Sequence, residues 1–149
     1  MSSSGASDRP CRPTTRADRP VAGRIGRDNA PVHFDDALFA ADLARLQETA
    51  RRALEEARSR YERDGIPASE RRHCHAEHHS GTRLTGCLKV YIPDFAGPWR
   101  IVYQIAWLAS DELGLEYVAA GVGHPPRGTR RRNVYQLAHY RLHGHWPSP

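Results

Sequence analysis

The sequence predicts an α+β domain: an N-terminal helix or helical hairpin packed on a small antiparallel sheet, with a C-terminal helix. Two observations support this. Apolar residues recur at steps of three and four between positions 39 and 61, and three strand-like runs follow with short connections. Such a meander buries one face and leaves the other open, and the long helix can cover the buried face. The length of 149 residues suits one domain with a tail.

Residues 1–30 are predicted to be a disordered basic tail, and residues 31–149 the folded domain. The tail is rich in serine, proline and arginine and has almost nothing to bury. The N-terminus has no apolar signal-peptide core, and no apolar run approaches ~20 residues. Three cysteines are too few, and odd in number, for a disulfide scaffold. The expected location is the cytoplasm, with no membrane partner.

The first ordered elements are expected to be a short edge strand over Pro31–Phe34 and a helix capped by Asp35 or Asp36. The helical stripe comprises Phe39, Leu43, Leu46, Ala50, Leu54, Ala57 and Tyr61. Gly65 and Pro67 end it. The helix is either continuous or broken near Gln47–Ala50. The charged residues of this region are interpreted as a solvated face.

Three strands are predicted, over Thr82–Ile92, Trp99–Trp107 and Leu115–Val122, and a final helix over Arg132–His143. Residues 66–81 are polar, and no element is predicted there. In the first strand one parity contains Leu84, Leu88, Val90 and Ile92, and the other contains Lys89 and Tyr91. The apolar parity is expected to face the helix, which leaves the polar parity on the open face.

The positive charge is concentrated in the last part of the chain. The formal net charge is +5, Lys89 is the one lysine, and residues 121–149 contain no acid. That stretch holds Arg127, Arg130, Arg131, Arg132 and Arg141, together with His124, His139, His143 and His145. A basic, acid-free segment is what a phosphate-backbone site needs. The alternative interpretation is solvated surface arginine.

Lys89, Tyr91 and Arg100 are the candidate residues on the open face. Lys89 and Tyr91 point off the same side of one strand, and Arg100 lies across from them if the loop at 93–98 sets the register. An arginine offers a fork for two phosphate oxygens, and a lysine offers a point charge. With that register the three side chains could converge over the sheet.

Four short segments follow one another along the folded domain. GCLKVY at residues 86–91 and WRIVYQI at 99–105 are similar to a cationic strand followed by "YRLVYQV". Val122–His124 and Arg130–Tyr135 are similar to a "VGKR…VY" ending. In this order, the four segments resemble the RelE/ParE superfamily of type II toxins. The resemblance covers roughly residues 31–143 and implies a RelE-like fold.

The resemblance implies an mRNA interferase, a metal-independent endoribonuclease that cuts mRNA in the ribosomal A site and inhibits translation. It implies catalytic roles for Lys89, Arg100 and Tyr135 and for one further arginine. Arg131 is assigned that role, although Arg127 or Arg130 could fill it. The remaining residues expected to bind substrate are Tyr91, Arg127, Arg130, Arg132 and His124. Tyr91 stands where a second lysine is usual.

The implied partner is a cognate acidic antitoxin whose disordered segment folds over the basic site. No small-molecule cofactor is expected. Two other functions stay open: a ParE-like inhibitor of DNA gyrase, which shares the scaffold, and a non-enzymatic basic module that binds nucleic acid or protein. Retention of Lys89, Arg100 and Tyr135 favours the ribonuclease.

The segment His73–His79 contains a cysteine and four histidines, which invites a metal assignment. On a helix its members would form i,i+4 pairs, and Cys87 could reach in from the strand. No paired Cys and His arrangement completes four ligands, so the segment is interpreted as a polar connector.

We expect EDTA to leave both the fold and any ribonuclease activity unchanged. Circular dichroism and an activity assay before and after chelation would check this. One tightly held zinc per chain, with loss of structure on its removal, would contradict it.

Overall fold

The computed structural model describes residues 26, 28–74, 82–92, 99–109, 111–123 and 132–147. These residues form an α+β fold, as predicted. Its elements are β1 (Val32–His33), α1 (Asp36–Leu43), α2 (Glu48–Asp64), β2 (Arg72–His73), β3 (Cys87–Tyr91), β4 (Trp99–Trp107), β5 (Leu113–Val122) and α3 (Val134–His143). No helix in these ranges is long and apolar enough to cross a membrane.

The sheet of the described chain has five strands in the order β1-β5-β4-β3-β2. The strands β2 to β5 pair antiparallel, and β1 runs parallel to β5 with Val32 opposite Leu115. The sheet is therefore mixed, which corrects the predicted antiparallel sheet. The helices α1 and α2 and the strands β2 to β4 separate β1 from β5 along the chain, so no short turn imposes an antiparallel pairing, and a two-residue strand carries no signal for its direction.

The helical region is a hairpin, which decides between the two predicted alternatives. The carboxylate of Asp35 caps α1 by accepting from the Leu38 backbone N–H at 2.9 Å. Gly65 ends α2 with a φ of +76°, and a Cβ there would lie 2.8 Å from the carbonyl oxygen of Ala30. Ala30 and Ile66 exchange two backbone hydrogen bonds of 2.9 Å. Ala30 thus packs with the domain, while residues 1–25 and 27 of the predicted tail lie outside the described residues.

The helical hairpin covers one face of the sheet. Its core cluster contains the predicted stripe residues Phe39, Leu54, Ala57 and Tyr61, packed on the strands. The strand residues of this cluster include Leu88, Val90, Ile92, Ile101, Tyr103, Leu115 and Tyr117. The predicted apolar parity of β3 is confirmed from Leu88 onward.

The opposite face is not open, which corrects the expectation of a one-sided sheet. A second core cluster joins Val102, Ala119 and Cys87 to Val134, Tyr135 and Ala138 of α3. Leu84 belongs to this second cluster, although its parity matched Leu88. The reason is a turn before β3, in which Gly86 has a φ of +79° and the alternation restarts.

The polar segment after α2 contains two short elements that the sequence did not predict. A 3-10 turn spans Ala68–Glu70, and β2 adds an edge strand in which Arg72 lies opposite Lys89. Both β2 residues are exposed, so no apolar alternation marked the strand.

Asp42 is fully buried, which corrects its interpretation as part of a solvated face. Its carboxylate accepts from Arg141 at 2.8 and 2.9 Å, from the Ala120 backbone N–H at 3.0 Å, and from Arg45 and the Tyr117 hydroxyl. Asp42, Arg45, Tyr117 and Arg141 are called the Asp42 cluster below. It joins α1, β5 and α3, which come from both faces of the sheet.

The Asp42 cluster lies at an irregularity in β5. Val102 pairs with Ala119, and Tyr103 pairs with Tyr117, so Val118 is an extra residue on β5. The Val118 carbonyl accepts from Arg141 at 2.8 Å. The strand β1 pairs with β5 only at Leu115 and Glu116. Beyond this pairing, Asp42 and Arg141 bind backbone groups of β5 that an edge strand would otherwise leave exposed.

Replacing Arg141 with methionine should lower the free energy of unfolding by about 3 kcal/mol or more, because it removes the main partner of a buried carboxylate. Arg45→Met is the matched control. Its side chain is 55% exposed, so its loss should cost no more than about 1 kcal/mol. Urea denaturation of both variants measures the difference, and equal losses would contradict the assignment.

Candidate functional site

The sheet register brings Lys89, Tyr91 and Arg100 to one face, as the parity predicted. Tyr91 and Arg100 are Cα partners across β3 and β4, and Lys89 lies two residues away opposite Val102. Directly opposed residues of neighbouring strands share a face. This is the face on which α3 packs, so the site lies beside a helix and not on an open sheet.

Arg100 is held in place from two sides. Its guanidinium carbon lies 3.9 Å from the centre of the Tyr91 ring, and its Nη1 donates to the Trp99 carbonyl at 3.0 Å. Its Nε is buried and has no hydrogen-bond partner among the described residues. If the Arg100 side chain turned its Nε towards a bound anion, it would gain a hydrogen bond there and break none at that atom.

Lys89 meets the predicted tyrosine of the C-terminal helix. Its Nζ donates to the Tyr135 hydroxyl at 3.3 Å and lies 5.2 Å from the ring centre. Tyr135 is 1% exposed and packs in the second core cluster, whereas Lys89 is half-buried. The Tyr135 hydroxyl thus contacts the Lys89 ammonium group, while the tyrosine itself exposes little surface.

Arg72 is a site residue that sequence reasoning missed. It lies on β2, opposite Lys89 of β3. Its guanidinium carbon is 5.7 Å from the centre of the Tyr91 ring, which Arg100 also contacts. Tyr91 itself is 46% exposed. Arg72, Lys89 and Arg100 with Tyr91 are called the cationic cluster below. Within the described chain, none of its three cations is paired with a carboxylate.

The basic C-terminal segment divides into different environments. His124, Arg127, Arg130 and Arg131 lie outside the described residues, so their predicted roles stay predictions. Arg132 is exposed, and its guanidinium carbon lies 3.8 Å from the centre of a Trp146 ring. Arg141 is paired with the buried Asp42 and therefore does not contribute to a phosphate surface.

The proposed metal segment is described only at its start, because residues 75–81 lie outside the described residues. Burial raises the pKa of the Cys74 thiol to about 11 and that of Cys87 to about 12. Such thiols stay protonated at neutral pH, and metals bind the thiolate. In the described ranges, no group of three His, Cys, Asp or Glu side chains is arranged to hold a metal ion.

A second polar group connects α3 to the segment before β3. The buried His139 accepts at Nδ1 from the Arg83 backbone N–H at 2.9 Å, so its neutral form carries the proton on Nε2. The His143 ring lies 4.6 Å away and the His145 ring 5.1 Å. Burial is the main cause that lowers the pKa of His139, and electrostatic repulsion from these two histidines and Arg83 lowers it further.

The lowered pKa predicts an acid-sensitive fold. The unfolded chain, with a histidine pKa of about 6.5, binds this proton more readily than the native state. The contribution of His139 is complete above pH 6.5 and is lost as pH falls below it. His139→Asn keeps an acceptor and should flatten the fall in unfolding free energy between pH 7 and pH 5. Identical pH slopes for variant and wild type in urea denaturation would contradict this.

Searches of protein-family models, of characterised proteins and of solved structures find no match to this chain.

Proposed function

We propose that this chain is the toxin of a type II toxin–antitoxin system, a metal-independent endoribonuclease that cleaves mRNA on the ribosome. The observation that carries the proposal is the cationic cluster. An ammonium and a guanidinium from adjacent strands lie on one sheet face, each in contact with a tyrosine. RNA supplies a phosphate, and the cluster supplies the charges and donors that bind one.

The reaction requires no redox partner and no metal. The ribose 2′-oxygen gives its proton to a general base and attacks the adjacent phosphorus, while the bond to the 5′-oxygen breaks and that oxygen takes up a proton from a general acid. The products are a 2′,3′-cyclic phosphate and a 5′-hydroxyl group. The transition state carries extra negative charge on the phosphate oxygens, and fixed cations stabilise that charge more than they stabilise the substrate.

Lys89 and Arg100 are the residues proposed to contact the reacting phosphate. The stacking on Tyr91 holds the guanidinium before substrate arrives, so little reorganisation is needed. The nearly complete burial of Tyr135 supports a positioning role for it, in which its hydroxyl directs the Lys89 ammonium. The further arginine of the family pattern, Arg131 or one of Arg127 and Arg130, remains part of the proposal.

The proposed partner is an acidic antitoxin segment. The cationic cluster combines three positive side chains with the exposed ring of Tyr91. An acidic, partly apolar peptide complements such a surface and would compete with RNA for it. Binding of the antitoxin and cleavage of RNA are therefore expected to be mutually exclusive.

Arg100→Ala should slow cleavage by ~10²-fold or more, about 2.7 kcal/mol of transition-state stabilisation. The measurement is single-turnover cleavage of ribosome-bound mRNA by folded protein. Lys89→Ala should act similarly, and the double variant should lose less than the sum if both residues act on one phosphate. Ribosome binding should weaken much less, because other cations share that task.

Arg52→Ala is the matched control. Arg52 lies on α2, which packs against the other face of the sheet, and its side chain is 75% exposed. This variant should cleave at the wild-type rate. Equal rates for Arg100→Ala and the wild type would remove Arg100 from catalysis and favour a gyrase inhibitor or a binding module.

A further inference from the structure

A cavity of about 280 Å³ lies between the residues that follow α1, the paired ends of β4 and β5, and the start of α3. Its apolar lining includes Leu46, Trp99, Val134 and Leu137, and its polar lining includes Arg45 and Arg132. The volume is close to the lower end, ~300 Å³, of small-molecule sites. This site is called the Trp99 cavity below.

Trp146, in the wall of the Trp99 cavity, contacts two neighbouring side chains. The rings of Tyr140 and Trp146 are stacked, with centres 4.4 Å apart and planes 17° from parallel. The Arg132 guanidinium lies 3.8 Å from the centre of the same indole. Arg132 is therefore held against the indole at the cavity wall although it is exposed.

The charge of the Trp99 cavity is positive. Arg45 contacts Asp42, but Asp42 also binds Arg141, so two guanidinium groups share one carboxylate. No described carboxylate is paired with Arg132, and no acid is among the described residues that line the cavity. A ligand that matches this site is partly flat and apolar and carries a negative charge.

The Trp99 cavity reaches the sheet face of the cationic cluster at Gly121, which lines the cavity and is the Cα partner of Arg100. The Trp99 side chain itself leaves the opposite face, where it packs against the core cluster of the helical hairpin. Gly121 packs beneath Val134, since a Cβ on this glycine would lie 3.6 Å from the Val134 side chain. This shared end of β4 and β5 places the two sites at neighbouring positions of the fold.

We propose that the Trp99 cavity binds one nucleotide of the RNA, next to the phosphate that is cleaved. The base packs against Trp99 and the apolar side chains, and Arg45 and Arg132 bind the attached phosphate. Aromatic residues stack on any base, while arginine provides both stacking and a fork for phosphate oxygens. The placement beside the cleaved phosphate rests on the proposed ribonuclease function, whereas nucleotide binding itself does not.

The test is a fluorescence titration of the full chain with AMP, GMP, CMP and UMP, followed through tryptophan emission. At least one nucleotide should give saturable quenching. Ribose 5-phosphate and the matching nucleoside should bind at least tenfold more weakly, because each supplies half of the contacts. Equal responses to all three compounds would overturn the proposal.

Variants locate the binding. Arg132→Ala changes an exposed side chain and should weaken nucleotide binding at least tenfold, as should Trp99→Phe. Trp107→Phe is the control, because Trp107 lies at the opposite end of β4 and should leave the dissociation constant unchanged. Binding unaffected by Arg132→Ala would place the nucleotide elsewhere and overturn the proposal.

A 2′-O-methyl RNA trinucleotide, which cannot be cleaved, separates RNA from free nucleotide as the source of the ligand. It should displace the mononucleotide and bind more tightly. A mononucleotide that the trinucleotide cannot displace would refute an RNA site. Wild-type protein that binds nucleotide without cleaving mRNA would refute the ribonuclease alone, and cleavage without nucleotide binding would refute the cavity alone.

Discussion

The buried carboxylate of Asp42 is the interaction on which the arrangement of this domain depends. It lies on α1, on one side of the sheet, and its two guanidinium partners include Arg141 of α3, on the other side. A buried carboxylate is costly unless it is fully paired, and Asp42 accepts from side chains and from the backbone of β5 at once. The Asp42 carboxylate is fully paired when Arg141 of α3 reaches it across the sheet, so this pairing fixes the positions of α1 and α3 on the sheet.

The position of α3 in turn builds the candidate site. With Arg141 near one end and Val134 over Gly121 at the other, the helix brings Tyr135 to Lys89 and closes one side of the Trp99 cavity. His139 ties the middle of the helix to the segment before β3. Stability and site geometry thus rest on the same helix, so a change at Asp42 is expected to act on a surface formed by quite different residues.

The charged side chains of this arginine-rich chain fall into two kinds of environment. Arg141 and Arg60 form ion pairs with carboxylates, and Arg60 also lies against the Tyr61 ring. Arg100, Arg72 and Arg132 lie against aromatic rings and are paired with no carboxylate of the described residues. An arginine stacked on a ring keeps its charge and most of its donors for an external anion, while its orientation is already restricted. The second group lies at the cationic cluster and the Trp99 cavity, which is why we propose phosphate binding at these two places.

The sequence by itself determined the elements with a strong period. The apolar stripe of α1 and α2, the bounds of β4 and the alternation in β3 follow from local patterns, and parity alone placed Lys89, Tyr91 and Arg100 on one face. Tertiary structure decided the rest. A two-residue strand such as β1 or β2 has too few residues to show a pattern, and its pairing depends on distant partners. Asp42 resembled any surface acid of a helix, although its position three residues after Phe39 put it on the apolar stripe. Whether such a carboxylate is buried depends on a partner 99 residues away, and no local pattern encodes that distance.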